Sequence, residues 1–301
     1  MSDTTASLGR KIGTAGDLQS VVRTMKAVAA SSIGQYESAV RALDDYYRTV
    51  QLGLVACLRE IERPVAPAPA QRREIGPIAA VVFGSDQGLV GQFNDVMADF
   101  VVEKLQALAV KKTVWTVGER IRSRLTETDL VLGKGFILPG SIGAITPLVG
   151  QILIEIETFR EKNGETAQVY VFHNSPHAGA VYSPTCQRLL PLDDAWRHRL
   201  TAMAWPTKIL PEVMNDGAAT LLAFVREYLF VSLFRACAES LASENASRLA
   251  AMQRAEKNID ELLEDLNRSF HRLRQSGIDE ELFDVISGFE ALTGSESRLN
   301  A

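Results

Sequence analysis

Residues 241–273 read LASENASRLAAMQRAEKNIDELLEDLNRSFHRL. Along them a three-four spacing runs Ala242, Asn245, Leu249, Met252, Glu256, Ile259, Leu263, Leu266, Phe270, Leu273. Sustained alternation of three and four puts one stripe along one side of a helix, where a partner helix can lie. The same periodicity appears near the other terminus: Leu18, Val22, Met25, Ala29, Ser32, Tyr36, Ala39, Leu43, Tyr46, Val50, Gly53, Cys57. Two such runs at the ends of one chain predict a long antiparallel coiled coil, with the residues between them forming a head.

Working outward from those stripes, residues 1–62 form the N-terminal coiled-coil helix, since no proline occurs before Pro64. About 55 helical residues at 1.5 Å rise span roughly 80 Å, too long to bury within one globule. The seam is small at Ala29, Ser32 and Ala39, which predicts close helix approach and exposure to an outer partner. Residues 63–77, RPVAPAPAQRREIGP, form a proline-rich linker that ends the helix. Residues 212–292 contain no proline and form the C-terminal coiled-coil helix. After Leu273 its stripe resumes at Ile278, Leu282, Val285, Phe289 and Leu292, a register shift near Ser276-Gly277. Residues 293–301 are a polar tail.

Residues 78–211 are the head. Ile78–Phe83, IAAVVF, is a continuous apolar run, as expected of a strand covered on both faces. Residues 95–109 predict a helix, 113–118 a strand, 119–126 a short helix and 130–132 a short strand. Residues 141–161 predict a helix with Pro147 in its first turn, followed by strands at 167–173 and 180–190, with 191–211 irregular. This order implies a Rossmann-like α/β domain with a mostly parallel sheet.

Net charge is -5, and residues 239–292 carry twelve acids against six bases, which argues against nucleic acid as a partner. No run of eighteen apolar residues occurs, and the start MSDTTASLGRK lacks the apolar core of a secretory signal. Cys57, Cys186 and Cys237 are scattered, as free thiols in a reducing compartment are. Chemistry is thin. The first strand leads into a glycine-rich turn with Gly84, Asp86, Gly88, Gly91 and Asn94, but its spacing is neither GxGxxG nor a Walker loop. A tight turn between strand and helix is favoured over a nucleotide site. His173 and His177 lie in HNSPH with no carboxylate beside them, so a loop pair without a ligand role is favoured. No catalytic residue, metal site, cofactor site or small-molecule substrate is predicted. Asn245 and Glu256, polar on the seam, fit a register device and a helix facing changing partners equally well.

The segment 241–252 resembles the LASE-x-x-x-R-x-x-AM signature of gamma subunits of F-type ATP synthases. Arg274-Gln275, Ile278, Glu281-Leu282 and Ile286-Ser287-Gly288 resemble that family's RQ-x-x-I-x-x-EL-x-E-I-x-SG. Lys11-Ile12, Thr24-Met25-Lys26 and residues 28–31, VAAS, resemble its N-terminal elements, and residues 85–94 resemble S-D-x-GL-x-G-x-x-N. The resemblance implies a non-catalytic rotor subunit whose paired helices stand inside a hexamer of alpha and beta subunits. It implies a head bound to the epsilon subunit and a membrane ring of c subunits, and a peripheral place on the cytoplasmic face of a bacterial inner membrane. It marks Met25, Arg248, Arg274, Gln275 and Glu281 as candidates for hexamer contact. Ser32-Ile33 replaces a usual Lys-Met pair, and Asp279 and Val90 replace a threonine and a cysteine. Those departures suggest a divergent gamma, of the kind found in alternative, sodium-type complexes. A freestanding coiled-coil adaptor and a nucleotide-binding enzyme are the competing expectations.

Overall fold

The computed structural model describes residues 4–61, 76–177, 180–192, 194–209, 211–213 and 217–299. Most of the proline-rich linker lies outside the described residues. The chain forms two compact units. One comprises Met1–Ala27 with Ala250–Ala301, the other Val28–Leu249.

The larger unit is built on a five-stranded sheet: β1 (Ile78–Phe83), β2 (Lys112–Val117), β3 (Leu132–Phe136), β4 (Gln168–His177) and β5 (Ala180–Leu190). The strand order is β3-β2-β1-β4-β5. β1 pairs in parallel with β2 and β4, β2 in parallel with β3, and only β5 is antiparallel, at one edge. The mostly parallel sheet expected from strand-helix alternation is therefore present. β1 is buried throughout and its residues divide by parity. Ala79, Val81 and Phe83 enter one core; Ile78, Ala80 and Val82 enter the other.

The second of these cores lies under α2 (Phe93–Gln106) and α3 (Glu119–Thr126), which bury Met97, Val101, Leu105, Ile121 and Leu125. The first lies under α4 (Ile145–Asn163), α5 (Asp194–Thr201) and parts of the two long helices, α1 (Thr5–Ile61) and α6 (Gly217–Leu299). α4 buries Ile145, Leu148, Val149, Ile152 and Ile156 on one stripe, and Pro147 sits in its first turn after a 3₁₀ turn at Ile142–Ala144. Stretches within 142–163 and 217–287 are long and apolar enough to cross a bilayer by composition. In the fold that apolar content goes into the first core. α5 falls in the segment expected to be irregular; its Leu200 and Trp196 pack into that core between the flanking prolines.

Within the larger unit α1 and α6 run antiparallel, since Asp44 meets Arg235 and Tyr47 stacks on Tyr228. A Cβ on Gly53 would fall 2.3 Å from the Phe224 ring, so the helices approach as closely as the small seam predicts. Within the smaller unit the pair is held by Val22 against Met252 and Ile259.

The α1 seam differs from expectation in one row. Leu8, Ala15, Val22, Ala29, Tyr36, Val50 and Cys57, all on a seven-residue spacing, are buried. In the second row Met25 and Gly53 hold their expected places, Met25 against the Val22–Met252 contact and Gly53 against Phe224, whereas at the positions of Leu18 and Tyr46 the neighbouring Gln19 and Tyr47 turn inward. Leu18 and Tyr46 are 52% and 44% exposed. Gln19 bonds Asp260 and Tyr47 stacks on Tyr228, while the Tyr46 hydroxyl still reaches α6 by donating to Glu227 Oε1, so residues of both adjacent rows touch the partner helix. On α6 the expected stripe holds from Ala242 to Ile259. α6 begins at Gly217 rather than Glu212, passes Ser276-Gly277 unbroken, and runs to Leu299 through the expected polar tail.

Candidate functional site

The glycine-rich turn after β1 is held by its own side chains. Ser85 is fully buried. Its amide donates to Asn94 Oδ1 at 3.0 Å, Asn94 Nδ2 donates to Ser85 Oγ at 2.8 Å, and Ser85 Oγ donates to the Gln87 carbonyl at 2.9 Å. Asp86 Oδ1 accepts the Glu119 amide at 2.9 Å and so serves an unpaired N–H of the first turn of α3. Gly84 has no room for a side chain, because a Cβ there would lie 2.3 Å from Ile121 Cβ. Gly91 takes φ +57°, beside Leu89 at +62°. Gly88 is open: the nearest atom to an added Cβ is Arg120 Nη2 at 3.8 Å.

This turn docks on the LASE block of α6. Ser247 Oγ donates to the Val90 carbonyl at 2.6 Å, and Ser243 Oγ donates to the Asn174 carbonyl of β4 at 3.1 Å. Asn174 Nδ2 completes the joint by donating to the Phe93 carbonyl at 3.3 Å. Small residues at 242, 243 and 247 let the backbone of the head come close enough for these bonds.

Arg248, expected to face a partner, lies largely inside the joint. Its guanidinium donates to Glu244 Oε1 at 2.6 Å and to Asn245 Oδ1 at 3.3 Å. The side chains of Arg248 and Glu244 are only 14% and 5% exposed. Burial pushes the Glu244 carboxyl above its ordinary range; Arg248 pulls it back and Asp86 adds to the rise. Glu244 Oε2 has no hydrogen-bond partner among the described residues. Asn245 bonds the Leu241 carbonyl of its own helix.

Glu256 acts as a helix-to-helix tie in the smaller unit. Its carboxylate takes Lys26 Nζ at 2.5 Å and Arg23 Nε at 3.0 Å, and these two cations hold it below the usual carboxylate range. Met25 is half-buried against the Val22–Met252 contact. Arg274, Gln275 and Glu281 are all exposed. The pairings Gln19–Asp260 and Arg23–Glu256 share a residue-number total of 279, which brings Thr5, the first residue of α1, opposite Arg274. Beyond Arg274, α6 has no described helix beside it within its unit, and Ile278, Leu282, Phe283 and Val285 are 55%, 57%, 68% and 70% exposed.

His173 and His177 both belong to β4 rather than to a loop. His173 is buried and its Nε2 lies 3.0 Å from Glu239 Oε2 of α6, a carboxylate that sequence proximity could not suggest. Among the described residues no three His, Cys, Asp or Glu side chains converge as metal ligands would. Clefts of about 300 Å³ and 270 Å³ flank β5. The first is lined by His173, Ser175, Ser232 and Glu239, the second by Cys186, Arg188, Trp196 and Tyr228. Burial pushes the Cys186 thiol up to about 11.

A family model described as ATP synthase matches residues 4–292. The ATP synthase gamma chain of Polynucleobacter asymbioticus is 24% identical over 293 residues, covering 96% of this chain and 99% of its own. That of Desulforudis audaxviator is 28% identical, covering 94% and 97%. A chain of the Euglena gracilis mitochondrial ATP synthase, solved as OSCP/F1/c-ring in rotational state 3, aligns with TM-score 0.67 at 16% identity over 97% of this chain and 95% of that one. A chain of the Tetrahymena thermophila mitochondrial ATP synthase central stalk and c-ring aligns with TM-score 0.57 at 23% identity, over 78% and 99%. At these identities the structural likeness is one of fold.

Proposed function

The chain belongs to the ATP synthase family, and from that premise we propose that it works as the gamma subunit, the central stalk of an F-type complex. The observation that carries this reading is the single-helix portion of α6 beyond Arg274. There an apolar row at Ile278, Leu282 and Val285 is exposed beside Arg274 and Gln275, with no helix among the described residues of its own unit against it. Such a face is made to be covered by another protein.

In this reading the terminal helices turn inside a hexamer of alpha and beta subunits, and catalysis resides on the beta subunits. Arg274, Gln275 and Glu281 make the polar contacts with the hexamer, and Met25 supports the neighbouring segment of α1. Arg248 serves the rotor from within, by fixing the joint that carries the head. The head sits on a membrane ring of c subunits and contacts epsilon, so that ion flow through the ring drives ATP synthesis or is driven by hydrolysis. The complex lies on the cytoplasmic face of a bacterial inner membrane as a peripheral assembly. The departures at Ser32-Ile33 and Asp279 support a divergent, sodium-type subtype.

Co-purification tests the reading. The tagged chain should bring down one copy per three alpha–beta pairs. A stable self-dimer with no affinity for the hexamer would instead mean a freestanding coiled-coil adaptor.

A further inference from the structure

One polar chain crosses the larger unit from α1 through α6 to β4. Asp44 Oδ1 accepts Arg235 Nη1 at 3.1 Å, and Arg235 Nε donates to Glu239 Oε1 at 2.7 Å. On the far side Glu239 Oε2 meets His173 Nε2 at 3.0 Å and accepts Ser175 Oγ at 2.8 Å. His173 and Ser175 are two apart on β4 and so share one face of the strand. Both carboxylate oxygens of Glu239 are thus engaged, one toward its own helix and one toward the sheet. Burial pushes this carboxyl up, but the bonds from His173, Arg235 and Ser175 outweigh it and hold the group down at about 2. The carboxylate therefore stays charged throughout the physiological range.

The apolar core around this chain holds the helices against the sheet by close packing, while the burial of apolar surface itself has no direction. Hydrogen bonds have direction and weaken steeply when bent. Directional ties therefore add to packing in holding the helices at one angle to the sheet under load.

We infer that Glu239, with His173 and Ser175 on β4 and Arg235–Asp44 behind it, is a positioning residue for rotary coupling that keys the sheet to the helix pair. This rests on the rotor reading above. The ties belong to the larger unit and involve none of Arg274, Gln275 and Glu281, so they affect transmission and leave the proposed contacts with the hexamer alone.

The test uses the assembled complex in sealed vesicles, comparing the unaltered chain with His173→Leu and His173→Gln. Leucine removes the donor to Glu239; glutamine keeps one. In His173→Leu, ATP hydrolysis should continue near the unaltered rate while ions moved per ATP fall about 2-fold or more. His173→Gln should restore the ratio. An unchanged ratio in His173→Leu, or an equal loss in both variants, overturns the inference. A purely structural role would lower thermal stability and yield without moving the ratio. Should His173→Leu fail to assemble, Ser175→Ala removes one donor of the same tie and is read the same way. If the unaltered chain does not enter the hexamer, the rotor reading itself fails, and that result is distinct from a coupled complex indifferent to His173.

Discussion

Replacing Arg248 with methionine keeps the length and apolar stem of the side chain and removes its charge. Glu244 then stays 5% exposed in its side chain, facing Asp86, with no cation beside it. Breaking a buried pair from one side costs about 3–5 kcal/mol. For a unit of this size that is a fall in Tm of roughly 6–20 °C. The cost depends on pH, and its sign follows from linkage. Glu244 already has a folded value above its unfolded value of 4.5, and losing Arg248 raises it further. Between those two values the native state binds more protons than the unfolded state, so stability falls as pH rises through that window. Circular dichroism melts should therefore show Arg248→Met close to the unaltered chain near pH 5 and well below it near pH 8. Glu244→Leu/Arg248→Met removes both charges and should recover most of the loss at pH 8. Were Arg248 instead a surface contact for the hexamer, both variants would melt with the unaltered chain at either pH. That result would refute an internal role for the pair.

Three further outcomes follow from the same geometry. Gly84→Ala forces a methyl to within 2.3 Å of Ile121 Cβ and should cost about 1–3 kcal/mol, whereas Gly88→Ala, with open space around it, should leave urea unfolding unchanged; equal effects would contradict the crowding described. Arg274→Ala and Gln275→Ala, on an exposed stretch, should shift stability of the isolated chain by less than about 0.5 kcal/mol yet lower coupled ATP turnover of the complex; full turnover would remove them from the hexamer contact. At pH 8 the Cys186 thiol, raised to about 11, should react with iodoacetamide far more slowly than a free thiol, and the buried Cys57 and Cys237 should wait for unfolding; rapid labelling of the native chain would refute that burial.

Much of this architecture was legible because it repeats. The run Ile78–Phe83 announced a strand covered on both sides, and its alternate residues do enter two cores. The seven-residue row from Val22 to Cys57 likewise followed from spacing, with Leu43 only half-buried, and the structure extends it back through Ala15 to Leu8. The second row followed only in part: Met25 and Gly53 face α6, but Leu18 and Gln19 lie on adjoining faces and the bond from Gln19 to Asp260 decides between them. Long-range polar partners were illegible for the same reason. His173 has no carboxylate near it in sequence, and Glu239 reaches it only because β4 and α6 pack together. Arg248 carried a family motif without its meaning: the spacing to Glu244 was visible, but the burial that turns an i,i+4 pair into a structural tie was not. α5 was hidden among prolines, since Pro191 and Pro206 bracket a segment long enough for two turns.

The apolar row on α6 past Arg274 has a cost outside the complex. Ile278, Leu282, Phe283, Val285 and Ile286 form an exposed side of helix with no helix among the described residues of their unit against it. A copy made in excess of its partners carries that side into the cell uncovered, where it attracts aggregation and proteases. Supply of this chain must therefore be matched to supply of whatever covers it. Its steady level should be set by the partner's abundance rather than by its own rate of synthesis.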